Sequence, residues 1–135
     1  MLFKKKKEIP HYSSWEEVTD YLAGYAGARK EGGSYIVTHK WRRERTHQDV
    51  IFQCASLDDM GELIFISSPV SGGPSQENIA RLAQKMEKTI TGDIVVDSGD
   101  NVFIRTCSPL HSMSSRSLMR IAEQIATYAH EFSKC

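Results

Sequence analysis

A chain of 135 residues, 40% hydrophobic and 25% charged, has the length of one ordinary domain and can bury a core without covalent staples. Its 17 Lys and Arg balance 17 Asp and Glu, so no global field draws it to nucleic acid or to an anionic membrane, and neither is an expected partner. Three cysteines (Cys54, Cys107 and Cys135) are odd in number and have no CxxC or Cys/His spacing, so no disulfide framework or zinc site is implied.

The balance is uneven along the chain. Residues 1–47 carry ten Lys/Arg against six Asp/Glu and residues 48–135 carry seven against eleven, that is +4 against −4. The amino end, Met-Leu-Phe followed by Lys4 to Lys7, has the basic start of a signal peptide but no apolar stretch behind it, because Glu8, Ile9, Pro10 and His11 follow at once. No apolar run is long enough to span a membrane. The expected location is the cytoplasm, with residues 1–12 as a basic flexible arm.

Ser14 stands three residues before Glu17, the spacing at which a helix opens with reciprocal side-chain caps. Trp15, Val18, Leu22 and Tyr25 then recur at helical period, and Gly24, Gly27 and Gly32-Gly33 weaken the helix and end it near Arg29. From Ser34 the period becomes two. Tyr35, Val37, His39 and Trp41 share one side of a strand, with Ile36, Thr38 and Lys40 on the other. A polar turn within Arg42–Asp49, with neither Gly nor Pro, leads to a second strand from about His47 to Leu57. Asp58-Asp59-Met60-Gly61 is a tight turn. Leu63–Ser68 follows as a mostly apolar and therefore central strand.

Pro69–Pro74 reads as a loop, and Ser75 caps a second helix with Ile79, Leu82, Ala83 and Met86 on one face. A hairpin comes next, from Ile90 to Asp97 and from Val102 to Ser108, turning at Ser98-Gly99-Asp100-Asn101 and stopped by Pro109. The last helix, Ser114 to Ser133, carries the clearest pattern: Leu118, Ile121, Ala122, Ile125, Tyr128, Ala129 and Phe132 form one apolar stripe. The order is helix, three-strand meander, helix, two-strand hairpin, helix. That is α+β, with helices packed on an antiparallel-rich sheet, in a single domain over residues 13–135.

The carboxyl third holds Asp97-Ser-Gly-Asp-Asn-Val-Phe-Ile-Arg-Thr, then Ser108-Pro-Leu, then the capped amphipathic helix. With the element order, it resembles the YbjN-type domains, whose fold is shared with type III secretion chaperones. The resemblance implies a homodimeric module that binds a segment of another protein through its sheet and helices. It supplies no catalytic residues. The chain departs from that pattern in its neutral charge, its Lys4–Lys7 arm and its Arg42-Arg43-Glu44-Arg45 turn.

Candidate chemistry is sparse. His39 and His47 flank the first hairpin and, if they faced each other with Asp49, would offer three metal ligands; ordinary strand histidines are the simpler account. Cys107 and His111, with Arg105 on the same strand face, have the makings of a nucleophile and base, but Cys107 sits where small apolar residues pack. Asp93, Asp97 and Asp100, and Asp58, Asp59 and Glu62, fit turn chemistry better than paired acid–base catalysis. Gly72-Gly73-Pro74-Ser75 lacks the Lys-Ser/Thr of a phosphate loop, and its proline removes a donor. The best surface feature is Lys40, Trp41, Arg42, Arg43 and Arg45, a basic hairpin with an aromatic residue that suits an anionic partner, whether an acidic protein patch or nucleic acid. The expectation is a non-enzymatic protein-binding module without cofactor or metal. The alternatives are an anionic-ligand binder at the hairpin and an enzyme whose site leaves no signature in the sequence.

Overall fold

The computed structural model describes residues 10–25, 27–41, 43–59, 61–89 and 92–133. Helix α1 (Trp15–Leu22) starts where the sequence places it, with the Ser14 hydroxyl accepting from the Glu17 N–H at 3.2 Å. The Glu17 carboxylate reaches back one residue further than a reciprocal cap requires and accepts from the Ser13 N–H at 2.6 Å. These hydrogen bonds hold that carboxyl below the usual carboxylate range.

Helix α1 ends seven residues before Arg29, and an unexpected strand accounts for the difference. Residues 23–25 leave the helix through turn hydrogen bonds, and Gly27 holds a φ of 80°. β1 (Arg29–Glu31) then pairs antiparallel with β2 (Ser34–Trp41). Gly32, at a φ of 59°, takes the first position of their two-residue connection, a conformation that glycine adopts without steric cost. The glycine pair therefore turns a hairpin rather than ending a helix.

The meander continues with β3 (Thr46–Leu57) and β4 (Gly61–Val70), and the later hairpin is β5 (Asp93–Val96) and β6 (Val102–Pro109). All six strands form one antiparallel sheet in the order β1-β2-β3-β4-β6-β5. β4 is central, flanked by β3 and β6, as its apolar run requires. It also extends through Pro69 and Val70, residues the sequence assigns to a loop. Pro69 has no N–H to give, and it lies beyond the last β3–β4 pair, Ile51 with Ser67.

Helices α2 (Gln76–Thr89) and α3 (Ser115–Phe132) complete the fold, the latter behind a short 3-10 turn at Leu110–Ser112. Ser114 and Ser117 cap α3 reciprocally. Val18 and Leu22 of α1, Leu82 and Met86 of α2, and Leu118, Ala122, Ile125, Ala126, Ala129 and Phe132 of α3 join one buried cluster. The strand residues in that cluster are Val37, Val50, Phe52, Ile64, Ile66, Val70, Val102 and Ile104, which the register places on a single side of the sheet. The three helices thus cover one face. Tyr12 belongs to the same core: it is 1% exposed, and its N–H donates to the Met113 carbonyl at 3.1 Å. The expected arm therefore includes a packed residue, Tyr12; Lys4–Lys7 lie outside the described residues. Among the described residues no helix is long and apolar enough to cross a membrane.

Candidate functional site

Strand alternation gives the sheet a second face, which none of the described helices covers. On this face the register aligns Ile36 with Ile51, Leu63 with Pro109, Phe65 with Cys107, and Phe103 with Val95. Ile51, Phe65, Phe103 and Val95 are only half-buried, and Cys107 is exposed. Ile36 and Leu63 are buried by their neighbours on the face, yet belong to no part of the helix-side core.

Charged residues are interspersed on this face in pairs. Toward the β1 edge, Arg29 Nη2 lies 3.2 Å from Asp49 Oδ2, and the Thr38 hydroxyl donates to the same carboxylate at 2.6 Å. Toward the β5 edge, Arg105 Nη2 lies 3.9 Å from Asp93 Oδ2, and the Arg105 guanidinium sits 5.0 Å from the Phe65 ring centroid. Both pairs are solvent-accessible, so they set local charge more than they stabilise the fold.

The basic hairpin is divided between faces. Lys40 is exposed on the open side. Trp41 points to the helix side, where its ring stacks on His130 of α3 with centroids 4.6 Å apart. Arg43 and Arg45 are exposed in the turn, and Arg45 holds a φ of 53°. This left-handed residue closes the turn that had no glycine to mark it. Arg42 lies outside the described residues. Trp41 is therefore a packing contact rather than a free surface for stacking bases.

Beside the hairpin root the β3–β4 ladder gives way to side-chain bonds. Ser68 Oγ donates to the Asp49 carbonyl, and buried Gln48 donates to Ser68 Oγ at 2.8 Å and to the Pro69 carbonyl at 2.6 Å. The parting strands leave an open crevice of about 480 Å³ lined by Arg45, Thr46, His47, Gln48, His130 and Ser133, among others. His130 Nε2 lies 3.3 Å from a Glu44 carboxylate oxygen and 3.5 Å from the Thr46 hydroxyl.

The register separates the proposed metal ligands. His39 pairs with Gln48 and His47 with Lys40, so the two imidazoles leave opposite faces of the sheet, and Asp49 is bound by Thr38 and Arg29. The His39 ring points to the helix side, where burial holds it below the usual histidine range while Glu123 pulls the other way. Among the described residues no group of three or more His, Cys, Asp or Glu is placed to hold a metal.

Cys107 and His111 are not joined either. His111 Nδ1 donates to the Tyr12 carbonyl at 3.1 Å, and Cys107 is exposed on the open face rather than packed as expected. Cys54 is half-buried against the core, and burial, helped by Glu62, pushes its thiol up. Asp97 serves its turn, with one carboxylate oxygen accepting from the N–H groups of Gly99 and Asn101, each at 2.9 Å. The Gly72-Gly73 loop is filled from within by Asn78, whose amide donates to the Gly73 carbonyl at 2.7 Å. A Cβ at Gly72, where φ is 110°, would come within 2.7 Å of that amide, which leaves no room for a phosphate cradle.

What sequence reasoning missed is the open face itself. Its signal was the second half of each alternation: Ile36, Ile51, Phe65 and Phe103 stand where a one-sided sheet would carry polar residues. Comparison with protein-family models finds no match to the chain, and comparison with curated proteins finds none either.

Proposed function

We propose that the protein is a non-enzymatic, protein-binding module of the cytoplasm, chaperone-like or regulatory, that works as a homodimer and engages protein through its open sheet face. One observation carries the reading: a sheet covered by three helices on one side carries Ile51, Phe65, Phe103 and Val95 half-buried on the other. Apolar side chains left part-exposed together on an uncovered sheet face suit contact with another protein. The resemblance of the element order to YbjN-type domains and secretion chaperones supports the same reading.

Affinity capture from native cytosol tests it, with wild-type protein beside a Phe65→Asp/Phe103→Asp variant. The expected result is a specific protein retained by the wild type and lost with the variant. Failure to retain any specific protein, or equal retention by both, contradicts the reading.

A second reading, an anionic ligand at the basic hairpin, is favoured by the crevice that gathers Arg45, His47 and His130. It predicts binding that falls steeply with salt and is lost when Arg42, Arg43 and Arg45 become Ser. A flat salt response removes it. The balanced charge of the chain and the engagement of Trp41 by His130 weigh against nucleic acid as that ligand.

A further inference from the structure

We infer that the open sheet face is the surface on which a second copy of this chain docks, giving a two-fold sandwich with one sheet from each subunit. The inference rests on the reading of that face as a protein-binding surface and names its occupant.

The first ground is size. Strands β2, β3, β4 and β6 have 8, 12, 10 and 8 residues, and the edge strands β1 and β5 have 3 and 4. At ~4.8 Å between strands and ~3.3 Å per residue, the face has an outline of roughly 700 Å² before side-chain relief is added. A stable interface of standard size buries about 800 Å² on each partner. The whole face, and not a corner of it, is the area a dimer needs.

The second ground is charge. The open face presents Arg29, Lys40 and Arg105 against Glu31, Asp49 and Asp93, three of each sign. Arg29 and Asp93 end one row of the register at opposite edges of the sheet, and each has a counter-charge beside it, Asp49 and Arg105. A partner of one sign gains nothing from such a surface. A surface with the same neutral layout matches it, because a two-fold contact sets the same patch against itself. When the axis runs along the strands, the β1 edge of one copy faces the β5 edge of the other and each rim meets both signs. Opposed sheets pack ~10 Å apart with interleaved side chains, and Phe65, Phe103, Ile51 and Val95 supply such a layer.

Light scattering coupled to size exclusion, on the purified chain over a concentration series, tests the inference apart from any other partner. Wild-type protein is expected to be dimeric and to dissociate on dilution. Phe65→Asp and, separately, Cys107→Arg are expected to remain monomeric at concentrations where the wild type is dimeric, with unchanged far-ultraviolet circular dichroism. Cys107 is exposed, so its substitution leaves the core alone and guards against a folding defect in the first variant. A wild-type chain that is monomeric throughout overturns the inference, and so does a dimer that survives both substitutions. A monomer would also remove the homodimer from the proposed function, whereas the binding of other proteins is judged by the capture experiment on its own.

Discussion

The two faces of the sheet are built from the same strands, residue by residue, and they differ in what covers them. On β4, Ile64 and Ile66 are 0% and 1% exposed beneath the helices, while Phe65 between them stays half-buried on the other side. Helix α3 supplies an unbroken stripe for the covered face, and nothing comparable among the described residues reaches the open one. The difference teaches that apolar content alone does not locate a core. The covered face belongs to folding, and the open face is the one proposed for association.

Truncating neighbours on β4 breaks this comparison most sharply. Ile64→Ala is expected to cost about 2–5 kcal/mol in urea denaturation, because it leaves a cavity in a closed layer. Phe65→Ala, measured at a dilution that favours the monomer, is expected to cost less than Ile64→Ala, since Phe65 is only half-buried and the truncation opens no closed cavity. Equal losses would mean that the faces do not differ as described.

The split ladder gives a smaller effect. Ser68→Ala removes the donor to the Asp49 carbonyl and one acceptor of Gln48, and a loss of about 1–3 kcal/mol is expected from the polar groups left short of partners. Denaturation that leaves the midpoint unmoved would show that the bridge is dispensable. Arg45→Gly acts in the opposite direction. Releasing a non-glycine residue from a φ of 53° should stabilise the hairpin by about 1 kcal/mol, read as a raised melting temperature; a lowered one would contradict the strain.

The smallest expected effect is a pH dependence on the covered face. Burial holds the folded-state value of His39 below the 6.5 of an ordinary histidine. The unfolded chain then binds more protons, so this contribution is complete above pH 6.5 and is lost as pH falls through the lower folded value. The Glu123 carboxylate opposes the shift. His39→Leu should therefore lose less stability between neutral and mildly acidic pH than wild type does, and identical slopes would contradict it.

Much of the architecture was legible because period and caps agree along this chain. Ser14 and Ser114 place the starts of their helices to within a residue, the α3 stripe gives the length of its helix, and the apolar run of β4 gives its central position. Arg29–Glu31 was not legible. Its side chains have no strand character, and it becomes a strand through the Gly32-Gly33 turn, beside the Arg29 contacts to Thr38 and Asp49. The sides of the first hairpin needed the register: without it His39 and His47 look like partners and Trp41 looks free. The candidate surface was the least legible part, since its residues are spread over β2 to β6 and become one face only when the order β3-β4-β6-β5 brings them together.

The alkylation rate of Cys107 tests the central claim most directly, because this exposed thiol lies on the open face opposite Phe65. In a Cys135→Ser background, maleimide labelling followed by mass spectrometry separates Cys107 from half-buried Cys54. The account predicts that Cys107 reacts quickly in dilute protein and more slowly as concentration rises, while Cys54 does not change. A Cys107 rate that is independent of concentration across the dimerisation range would contradict the assignment of this face as the meeting surface of two chains.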